Sequence, residues 1–418
     1  MQEAACHLLA SEDGAIAQAP LVSARPFGRA VLPSIDTVVA NTRPVDPVLC
    51  LRPAVIAGAA QRFVASFPGD VLYAVKCNPE PRVLRALWAG GIRHFDCASL
   101  AEVALVRKLF PAAAIHFMHP VKSRPAIRDA FDVYGVTDFA FDTADELAKI
   151  LQETVPVGLV GDPPVLGLSV RLALPKGGAI YDLSGKFGAP LDDAAALLRA
   201  ARPHAARLGI TFHVGSQCLE PAAYARAIAL AGEAIANSGV PVDIVDVGGG
   251  FPVSYPDMTP PVLGDYLGTI EAAAGRLPGN IRLWAEPGRA LVAGGGSVVV
   301  QVQLRRGDQL FVNDGVYGNL SDAGTLGFRF PARRIRLGEP EDREAPVADF
   351  ALFGPTCDSV DRMRGPFRLP ADMREGDWIE LGQLGAYGAC LRTGFNGFGK
   401  VDLVEVADPP LLATPGYE

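Results

Sequence analysis

The stretch Tyr73-Ala74-Val75-Lys76-Cys77-Asn78-Pro79 decides how the rest of this chain is interpreted. Residues 70–75 are largely apolar and predict a buried strand, and Pro79 ends it because proline cannot donate to a strand ladder. A lysine at the end of such a strand is costly to desolvate unless it is paired. Lys76 can extend into solvent, or it can serve as a partly neutral amine that forms a Schiff base. The sequence on either side decides between these two interpretations.

The size and charge of the chain limit the kinds of protein it can be. Its 418 residues are more than a domain with a single hydrophobic core usually contains, so two domains are expected. A composition of 49% hydrophobic and 20% charged residues is typical of a soluble globular protein. The net charge of −8 argues against nucleic acid and against an anionic membrane surface as partners. No apolar run is long enough to span a bilayer, so no membrane association is expected.

The cysteines and the first residues indicate a reducing compartment. Seven cysteines are scattered without a Cys-x-x-Cys pair, which supports neither a disulfide framework nor a zinc site. The start of the chain lacks the basic and apolar regions of a signal peptide. We therefore expect a cytoplasmic protein with reduced thiols and no bound metal.

Eight apolar, strand-like runs alternate with segments of helical spacing, which predicts a (β/α)8 TIM barrel. Two of the intervening helices open with capping boxes, Ser99-x-x-Glu102 and Thr143-x-x-Glu146, each directly after a strand. A doubly wound sheet is the alternative fold, and the count of eight decides against it. The runs are residues 71–76, 92–96, 114–118, 138–141, 165–172, 210–214, 242–247 and 281–286.

The pattern of predicted secondary structure changes after Arg289. Short β-rich segments follow one another without helices between them, which predicts a C-terminal all-β domain of the sandwich or barrel-like kind. Short apolar pieces in residues 27–45, such as Thr37-Val38-Val39, have the same pattern and are predicted to be strands of that domain. We therefore predict an N-terminal arm (1–26), strands that join the β domain (27–45), a barrel (46–284) and the β domain (285–418).

Polar residues or glycines stand at the carboxyl ends of the eight predicted strands. Active sites of TIM barrels lie on that face. A single polar residue there is more often a helix cap or a hydrogen-bonded core group, but a whole ring is hard to explain by packing. In order, these residues are Lys76, Asp96, His119, Asp142, Arg171, His213, Gly248-Gly249-Gly250 and Glu286.

Several members of this ring together describe a site for pyridoxal 5'-phosphate. Lys76 would form the imine, and Gly248-Gly249-Gly250 would bring backbone N–H groups close to a phosphate. Glu286 would hold the proton of the pyridine nitrogen, and Arg289 suits phosphate recognition. The glycines do not form the GxGxxG pattern, so a nicotinamide cofactor is not expected.

Two residues of the segment His213-Val214-Gly215-Ser216-Gln217 add to this interpretation. His213 could lie against the cofactor ring, and Ser216 could donate a hydroxyl hydrogen bond to the phosphate. A hydrogen-bonded core histidine is the alternative for His213, and the other members of the site disfavour it.

From about residue 27 to residue 400, the chain resembles the ornithine/lysine/diaminopimelate decarboxylase family, which has the alanine racemase fold (fold type III). Seven motifs stand in the family's order. They are Tyr73-Ala74-Val75-Lys76-Cys77-Asn78, Phe95-Asp96-Cys97-Ala98-Ser99, His213-Val214-Gly215-Ser216-Gln217, Gly248-Gly249-Gly250-Phe251-Pro252, Glu286-Pro287-Gly288-Arg289, Asn313-Asp314-Gly315-Val316-Tyr317-Gly318 and Gly354-Pro355-Thr356-Cys357-Asp358. The resemblance implies a homodimer in which the barrel of one subunit faces the β domain of the other.

The resemblance also implies roles for residues at matching positions. Lys76 would carry the cofactor, and His213 would stack on its ring. Cys357 of the partner subunit would deliver a proton after carbon dioxide leaves, and Asp358 would meet the distal amine of the substrate. The cofactor-binding set would be Lys76, Asp96, Arg171, His213, Ser216, Gly249, Gly250, Glu286, Arg289 and Tyr387.

The substrate expectation rests on fewer residues. Diaminopimelate decarboxylases usually carry Cys-Glu-Ser-Gly-Asp where this chain has Cys357-Asp358-Ser359-Val360-Asp361, so we expect L-ornithine or L-lysine, giving putrescine or cadaverine. Eukaryotic ornithine decarboxylases have a Tyr-Asp pair after residues 314–318; this chain lacks it, and Asp322 is the acid expected to substitute.

Other functions are also compatible with the same resemblance. They are decarboxylation of meso-diaminopimelate, 2,4-diaminobutyrate or arginine, racemisation, and a non-catalytic regulatory homologue. Cys357-Asp358 disfavours racemisation. The retained lysine, glycines and cysteine disfavour a regulatory homologue.

Overall fold

Eight parallel strands close into a barrel, as predicted. The computed structural model describes residues 32–154, 164–175, 177, 179–181, 183–324, 326–339 and 346–414. The predicted arm (1–26) and residues 27–31 lie outside the described residues. The strands are β1 (Val48–Leu51), β2 (Gly69–Ala74), β3 (His94–Cys97), β4 (Ala114–Phe117), β5 (Asp138–Phe141), β6 (Leu166–Arg171), β7 (Ala179–Tyr181), β8 (Ala205–Thr211), β9 (Ser216–Cys218), β10 (Ile244–Asp246), β11 (Arg282–Ala285), β12 (Gly296–Arg306), β13 (Gln309–Val312), β14 (Ala332–Ile335), β15 (Val347–Phe353), β16 (Arg362–Pro370), β17 (Trp378–Leu381) and β18 (Asp402–Glu405).

The barrel runs in the order β2-β3-β4-β5-β6-β8-β10-β11, and β11 pairs with β2 to close it. Each of the eight predicted runs overlaps one barrel strand. The sixth strand starts at Ala205, five residues before its predicted start and directly after the 3-10 turn Arg202–His204. Strands such as β5 are buried along their whole length, since the barrel interior covers one face and helices cover the other.

Helices follow most of the barrel strands. They are α1 (Ile35–Thr42), α2 (Pro53–Ser66), α3 (Pro81–Ala89), α4 (Leu100–Leu109), α5 (Arg124–Asp132), α6 (Ala144–Thr154), α7 (Leu191–Ala201), α8 (Ala222–Ser238), α9 (Leu263–Ala274), α10 (Arg289–Val292) and α11 (Ser321–Gly324). Both predicted capping residues act as such: the Glu102 N–H donates to Ser99 Oγ and the Glu146 N–H to Thr143 Oγ1. No helix in the described ranges is long and apolar enough to cross a membrane.

A mixed sheet of eight strands forms the second part of the fold. The strand order is β14-β17-β12-β13-β15-β16, and β1 and β18 extend the sheet beside β12. The first half of the long strand β12 pairs with β1 and β17, and its second half pairs with β13. One strand of this sheet, β1, lies within the range predicted for the barrel. The last barrel strand ends at Ala285, and β12 begins at Gly296.

The strand predicted around Thr37 is wrong, because this segment is the helix α1. Ser34 caps it by accepting the Thr37 N–H at 3.1 Å. Ile35, Val38 and Val39 lie on one face and pack against the mixed sheet, in a cluster that includes Trp378. β-branched residues favour strands by local preference, but burial of a helical i, i+3, i+4 face against the sheet outweighs that preference here.

A charged and aromatic cluster closes the amino-terminal end of the barrel, away from the face predicted for the site. His94 Nδ1 lies 3.1 Å from His116 Nε2, and the two rings stack. Asp70 accepts hydrogen bonds from Arg282 and Trp284, and Asp138 accepts two from Arg207. Burial lowers the pKa of His116 to about 4.

We expect this cluster to make the protein less stable as the pH falls from about 6.5 towards 4. His116 is neutral in the folded state in that window, whereas the unfolded chain takes up a proton. The free energy of unfolding should lose up to about 3 kcal/mol from this residue. Urea unfolding of the wild type and of His116→Gln at pH 7.5 and 5 measures the difference. An equal loss in both proteins would contradict the assignment.

Candidate active site

A cavity of about 410 Å³ opens at the carboxyl ends of the barrel strands. It brings together ten residues that the sequence placed around a cofactor. These are Lys76, Asp96, Arg171, His213, Ser216, Gly249, Gly250, Glu286, Arg289 and Tyr387. Nine of them belong to barrel strands or to the segments that directly follow them, and Tyr387 comes from the segment after β17. The closed barrel therefore gathers residues that are more than 300 positions apart in sequence.

Lys76 lies in a short 3-10 turn, Val75–Cys77, immediately after β2. Its Nζ is 2.8 Å from Asp96 Oδ2, and 42% of its side chain is exposed, compared with 3% for Asp96. Desolvation lowers the pKa of Lys76, but Asp96 and then Glu286 outweigh it and raise that pKa above its ordinary value. The amine is therefore held as an ammonium by its ion pair with Asp96.

The triple glycine packs so closely that side chains do not fit. A Cβ on Gly249 would lie 2.7 Å from the Glu286 carbonyl oxygen, and one on Gly250 would lie 2.4 Å from the Gly215 carbonyl oxygen. Gly250 also has a φ of +100°, a conformation that L side chains rarely adopt. Ser216 lines the cavity beside this loop. Gly249 and Gly250 therefore bring backbone, without side chains, to the wall of the cavity.

Arg289 is almost completely buried and brings a positive charge to the same cavity. Its Nη1 donates to the Tyr255 hydroxyl at 2.9 Å, and its guanidinium lies 5.0 Å from the Phe328 ring centroid and 4.9 Å from that of Tyr387. Its Nε is buried and has no hydrogen-bond partner among the described residues. A buried donor without an acceptor is costly, so a phosphate oxygen suits this position.

Asp322 is not where the sequence predicted it. It was expected to meet the distal amine of a substrate, but it is 6% exposed and is not among the residues that line the cavity. Its Oδ2 lies 2.9 Å from Arg289 Nη2. The physical reason is charge: a buried guanidinium needs an anionic partner, and α11 places Asp322 beside it.

Glu286 follows β11 and is 3% exposed, with Oε1 buried. Its carboxyl group hydrogen-bonds to that of Asp246, the fully buried last residue of β10. Burial and then the Asp246 charge raise the pKa of Glu286 well above its ordinary value, and burial raises the pKa of Asp246 to about 6. From the sequence, Asp246 was predicted only as part of the strand at residues 242–247. An acid inside an apolar run directly before three glycines was the signal that could have identified it.

His213 lies at the cavity as a neutral imidazole. The Gly215 N–H donates to its Nδ1 at 2.9 Å, which leaves the ring proton on Nε2. Burial first, and then the charges of Arg171 and Lys76, lower its pKa well below the ordinary value. A flat, uncharged ring at this position is suited to stacking against another ring.

Cys357 and Asp358 do not line the Lys76 cavity of the same chain. They lie in the loop after β15, where Cys357 is exposed and its N–H donates to Asn396 Oδ1 at 3.1 Å. The Tyr317 hydroxyl donates to Asp358 Oδ2 at 2.5 Å, which lowers the pKa of that carboxyl. The structure of one chain therefore contains two separate groups of predicted site residues.

Comparison with known proteins agrees with this geometry. Residues 54–293 match the family model described as "Pyridoxal-dependent decarboxylase, pyridoxal binding domain". The lysine/ornithine decarboxylase of Selenomonas ruminantium is 31% identical over 354 residues, which cover 82% of this chain and 85% of that protein. The ornithine decarboxylase of Schizosaccharomyces pombe is 33% identical over 356 residues, covering 81% and 78%.

Solved structures show the same architecture. The arginine decarboxylase of Paramecium bursaria Chlorella virus, bound to agmatine, has a TM-score of 0.77 and 28% identity, covering 89% of this chain and 99% of that chain. The lysine/ornithine decarboxylase of Vibrio vulnificus, complexed with putrescine, has a TM-score of 0.74 and 30% identity, covering 89% and 97%. Fold and site together thus define a pyridoxal-phosphate-dependent carboxy-lyase. The chain belongs to the ornithine/lysine decarboxylase family of these enzymes.

The residues of the cavity fit pyridoxal phosphate. It offers an amine for the aldehyde at Lys76, a glycine loop with a buried arginine donor for the phosphate, and a buried acid for the ring nitrogen at Glu286. The match to the pyridoxal-binding family model and the solved relatives that contain the cofactor support the same conclusion. The cofactor predicted from the sequence is confirmed.

We expect borohydride reduction of the purified protein to fix the cofactor to Lys76, because this amine is the one beside Asp96. Peptide mass spectrometry identifies the modified residue, and Lys76→Ala should lose the bound chromophore. Lys186 also lines the cavity and is the matched control. Lys186→Ala should keep the chromophore, and a modification on Lys186 in the wild type would contradict the assignment.

Proposed function

We propose that the protein decarboxylates a basic L-amino acid, with L-ornithine and L-lysine as its substrates and putrescine and cadaverine as products. The observation that carries this proposal is that one cavity is lined by Lys76 and by the nine other residues predicted to bind the cofactor. The similarity to the lysine/ornithine decarboxylase of Selenomonas ruminantium and to the ornithine decarboxylase of Schizosaccharomyces pombe supports the substrate class.

The cavity residues would contact different parts of the cofactor. Lys76 would bind the aldehyde of the cofactor, and Asp96 pairs with the lysine amine. Glu286 would hold the ring nitrogen, and His213 would lie against the ring. The phosphate would be held by Gly249, Gly250, Ser216, Arg289 and Tyr387, and Arg171 balances the acids of the site. When bound, pyridoxal phosphate draws electrons away from the substrate's α-carbon, which lets carbon dioxide leave.

Cys357 and Asp358 act on the substrate rather than on the cofactor. In this proposal the Cys357 thiol gives a proton to the α-carbon, and the Asp358 carboxylate binds the distal ammonium. Tyr317 supports the second role, because its hydroxyl donates to one Asp358 oxygen and keeps the carboxyl ionised. Asp322 is paired with Arg289, so Asp358 is the predicted acid that is left for the substrate.

We also propose a homodimer with shared active sites. Cys357 and Asp358 lie outside the Lys76 cavity of their own chain, so a second chain has to supply them. Large apolar side chains are exposed beside the Cys357 loop and at the rim of the cavity, as expected for surfaces that meet in a dimer. They are Val360, Phe395 and Phe398 beside the loop, and Ile180, Tyr181 and Leu183 at the rim.

Carbon dioxide release from a panel of amino acids tests the proposed substrate. We expect turnover of L-ornithine or L-lysine, and Asp358→Ala should raise KM by about 10-fold or more, because a hydrogen bond to a charged group is lost. L-Arginine, L-2,4-diaminobutyrate and meso-diaminopimelate complete the panel. Turnover of only one of these three would refute the proposed specificity while retaining the decarboxylase class. A colourless protein that acts on none would sink the enzyme proposal.

Mixing two inactive variants tests the shared site. Lys76→Ala and Cys357→Ala damage different halves of the proposed site, so a mixed dimer contains one intact site. Random exchange of subunits should restore about a quarter of the wild-type activity. Lys76→Ala mixed with a Lys76→Ala, Cys357→Ala double variant is the control and should remain inactive. Absence of recovery after verified subunit exchange would show that each chain builds its own site.

A further inference from the structure

A pair of buried carboxyl groups lies behind the cofactor-facing acid. Asp246 is fully buried inside the barrel, and Glu286 is 3% exposed at the cavity. The Gly248 N–H donates to Asp246 Oδ1 at 2.8 Å, which leaves Oδ2 as its free oxygen. Asp246 Oδ2 and Glu286 Oε1 are buried and find no donor in the described part of the chain. The two carboxyl groups instead hydrogen-bond to each other.

Two carboxyl groups can make this hydrogen bond only if one of them carries a proton. Neighbouring charges set the balance of the pair: Asp96 opposes its ionisation, and Lys76 and Arg171 favour it. A second negative charge inside the dry barrel is costly. The pair therefore holds one proton and carries a single negative charge.

We propose that Asp246 is a positioning residue for Glu286, to which it donates a hydrogen bond from its protonated oxygen. This inference rests on the proposed role of Glu286 opposite the ring nitrogen. Glu286 lines the cavity and Asp246 does not, so a cation in the cavity attracts the negative charge to Glu286. The O–H bond on Glu286 breaks and one on Asp246 forms, so the number of protons is unchanged. Asp246 then fixes Glu286 as a carboxylate aimed at a protonated ring nitrogen.

The Gly248 contact makes a matched pair of variants possible. In Asp246→Asn, the amide oxygen can still accept the Gly248 N–H, and the NH2 group can donate to Glu286. Asp246→Ala removes the donor. If Asp246 acts as a hydrogen-bond donor, asparagine should replace it well and alanine poorly. If Asp246 acts as a negative charge, both asparagine and alanine should replace it poorly.

The test measures cofactor binding to the apoenzyme, with no amino acid present. The wild type, Asp246→Asn and Asp246→Ala are titrated with pyridoxal phosphate and with its analogue that has C–H in place of the ring nitrogen. We expect the wild type and Asp246→Asn to prefer the natural cofactor to a similar extent, within about threefold. Asp246→Ala should lose about 10-fold or more of that preference, the scale of a hydrogen bond to a charged group.

Two outcomes would overturn the proposal. Asp246→Asn could lose the preference as fully as Asp246→Ala, which would make Asp246 a charge and not a donor. Asp246→Ala could keep the full preference, which would make it a packing residue. In Glu286→Gln, adding Asp246→Ala should cost little further preference, and an additive loss would also contradict the proposal.

Two further variants separate this effect from a general loss of structure. Asp243→Ala, in the segment just before β10, removes a half-exposed partner of Arg202 and should leave the preference unchanged. If Asp246→Ala does not fold, Asp246→Val repeats the test with an apolar residue suited to the strand. Because no substrate is used, the result does not depend on which amino acid is decarboxylated. The substrate panel can therefore refute the proposed substrates while the cofactor titration supports the role of Asp246. The titration can likewise refute that role while the panel supports the substrates.

Discussion

The ion pair between Lys76 and Asp96 is the constraint on which the mouth of the barrel depends. A buried carboxylate such as Asp96 is tolerated only with a positive partner, and Lys76 Nζ lies 2.8 Å from it. The two residues meet because β2 and β3 are adjacent parallel strands, with Ala74 opposite Asp96. Barrel closure thus does more than support the site, since the strand register itself sets the distance between the Lys76 amine and the Asp96 carboxylate.

Other buried charges at the site follow the same rule with partners from different elements. Arg289 begins α10 after the last barrel strand, and its anionic partner Asp322 comes from α11 between strands of the mixed sheet. Tyr387, which covers Arg289, follows β17. Glu286 is supported by Asp246 within the barrel. The Arg289 end of the cavity is therefore built jointly by both parts of the fold, whereas Glu286 and its partner Asp246 both belong to the barrel.

The loop that carries Cys357 has its shape fixed within one chain. Asp361 is buried, and its carboxylate accepts the Val316 N–H at 2.7 Å and the Thr356 hydroxyl at 2.7 Å. A Cβ on Gly354 would lie 2.2 Å from those oxygens, so glycine is required there. Cys357 remains exposed on this internally braced loop. A thiol presented in this way suits the proposed use by a neighbouring subunit, because little ordering has to be paid for on association.

The sequence by itself determined the barrel and the cofactor, and it named ten residues that the cavity brings together, because strand periodicity and the motifs at strand ends are local features. The tertiary structure alone decided what depends on contacts between distant segments. Packing against the mixed sheet made residues 35–42 a helix despite their β-branched composition. Asp322 pairs with the buried guanidinium of Arg289. Asp246 meets Glu286 because β10 and β11 are adjacent strands. Periodicity predicts an element, but only the folded chain determines which buried charges meet.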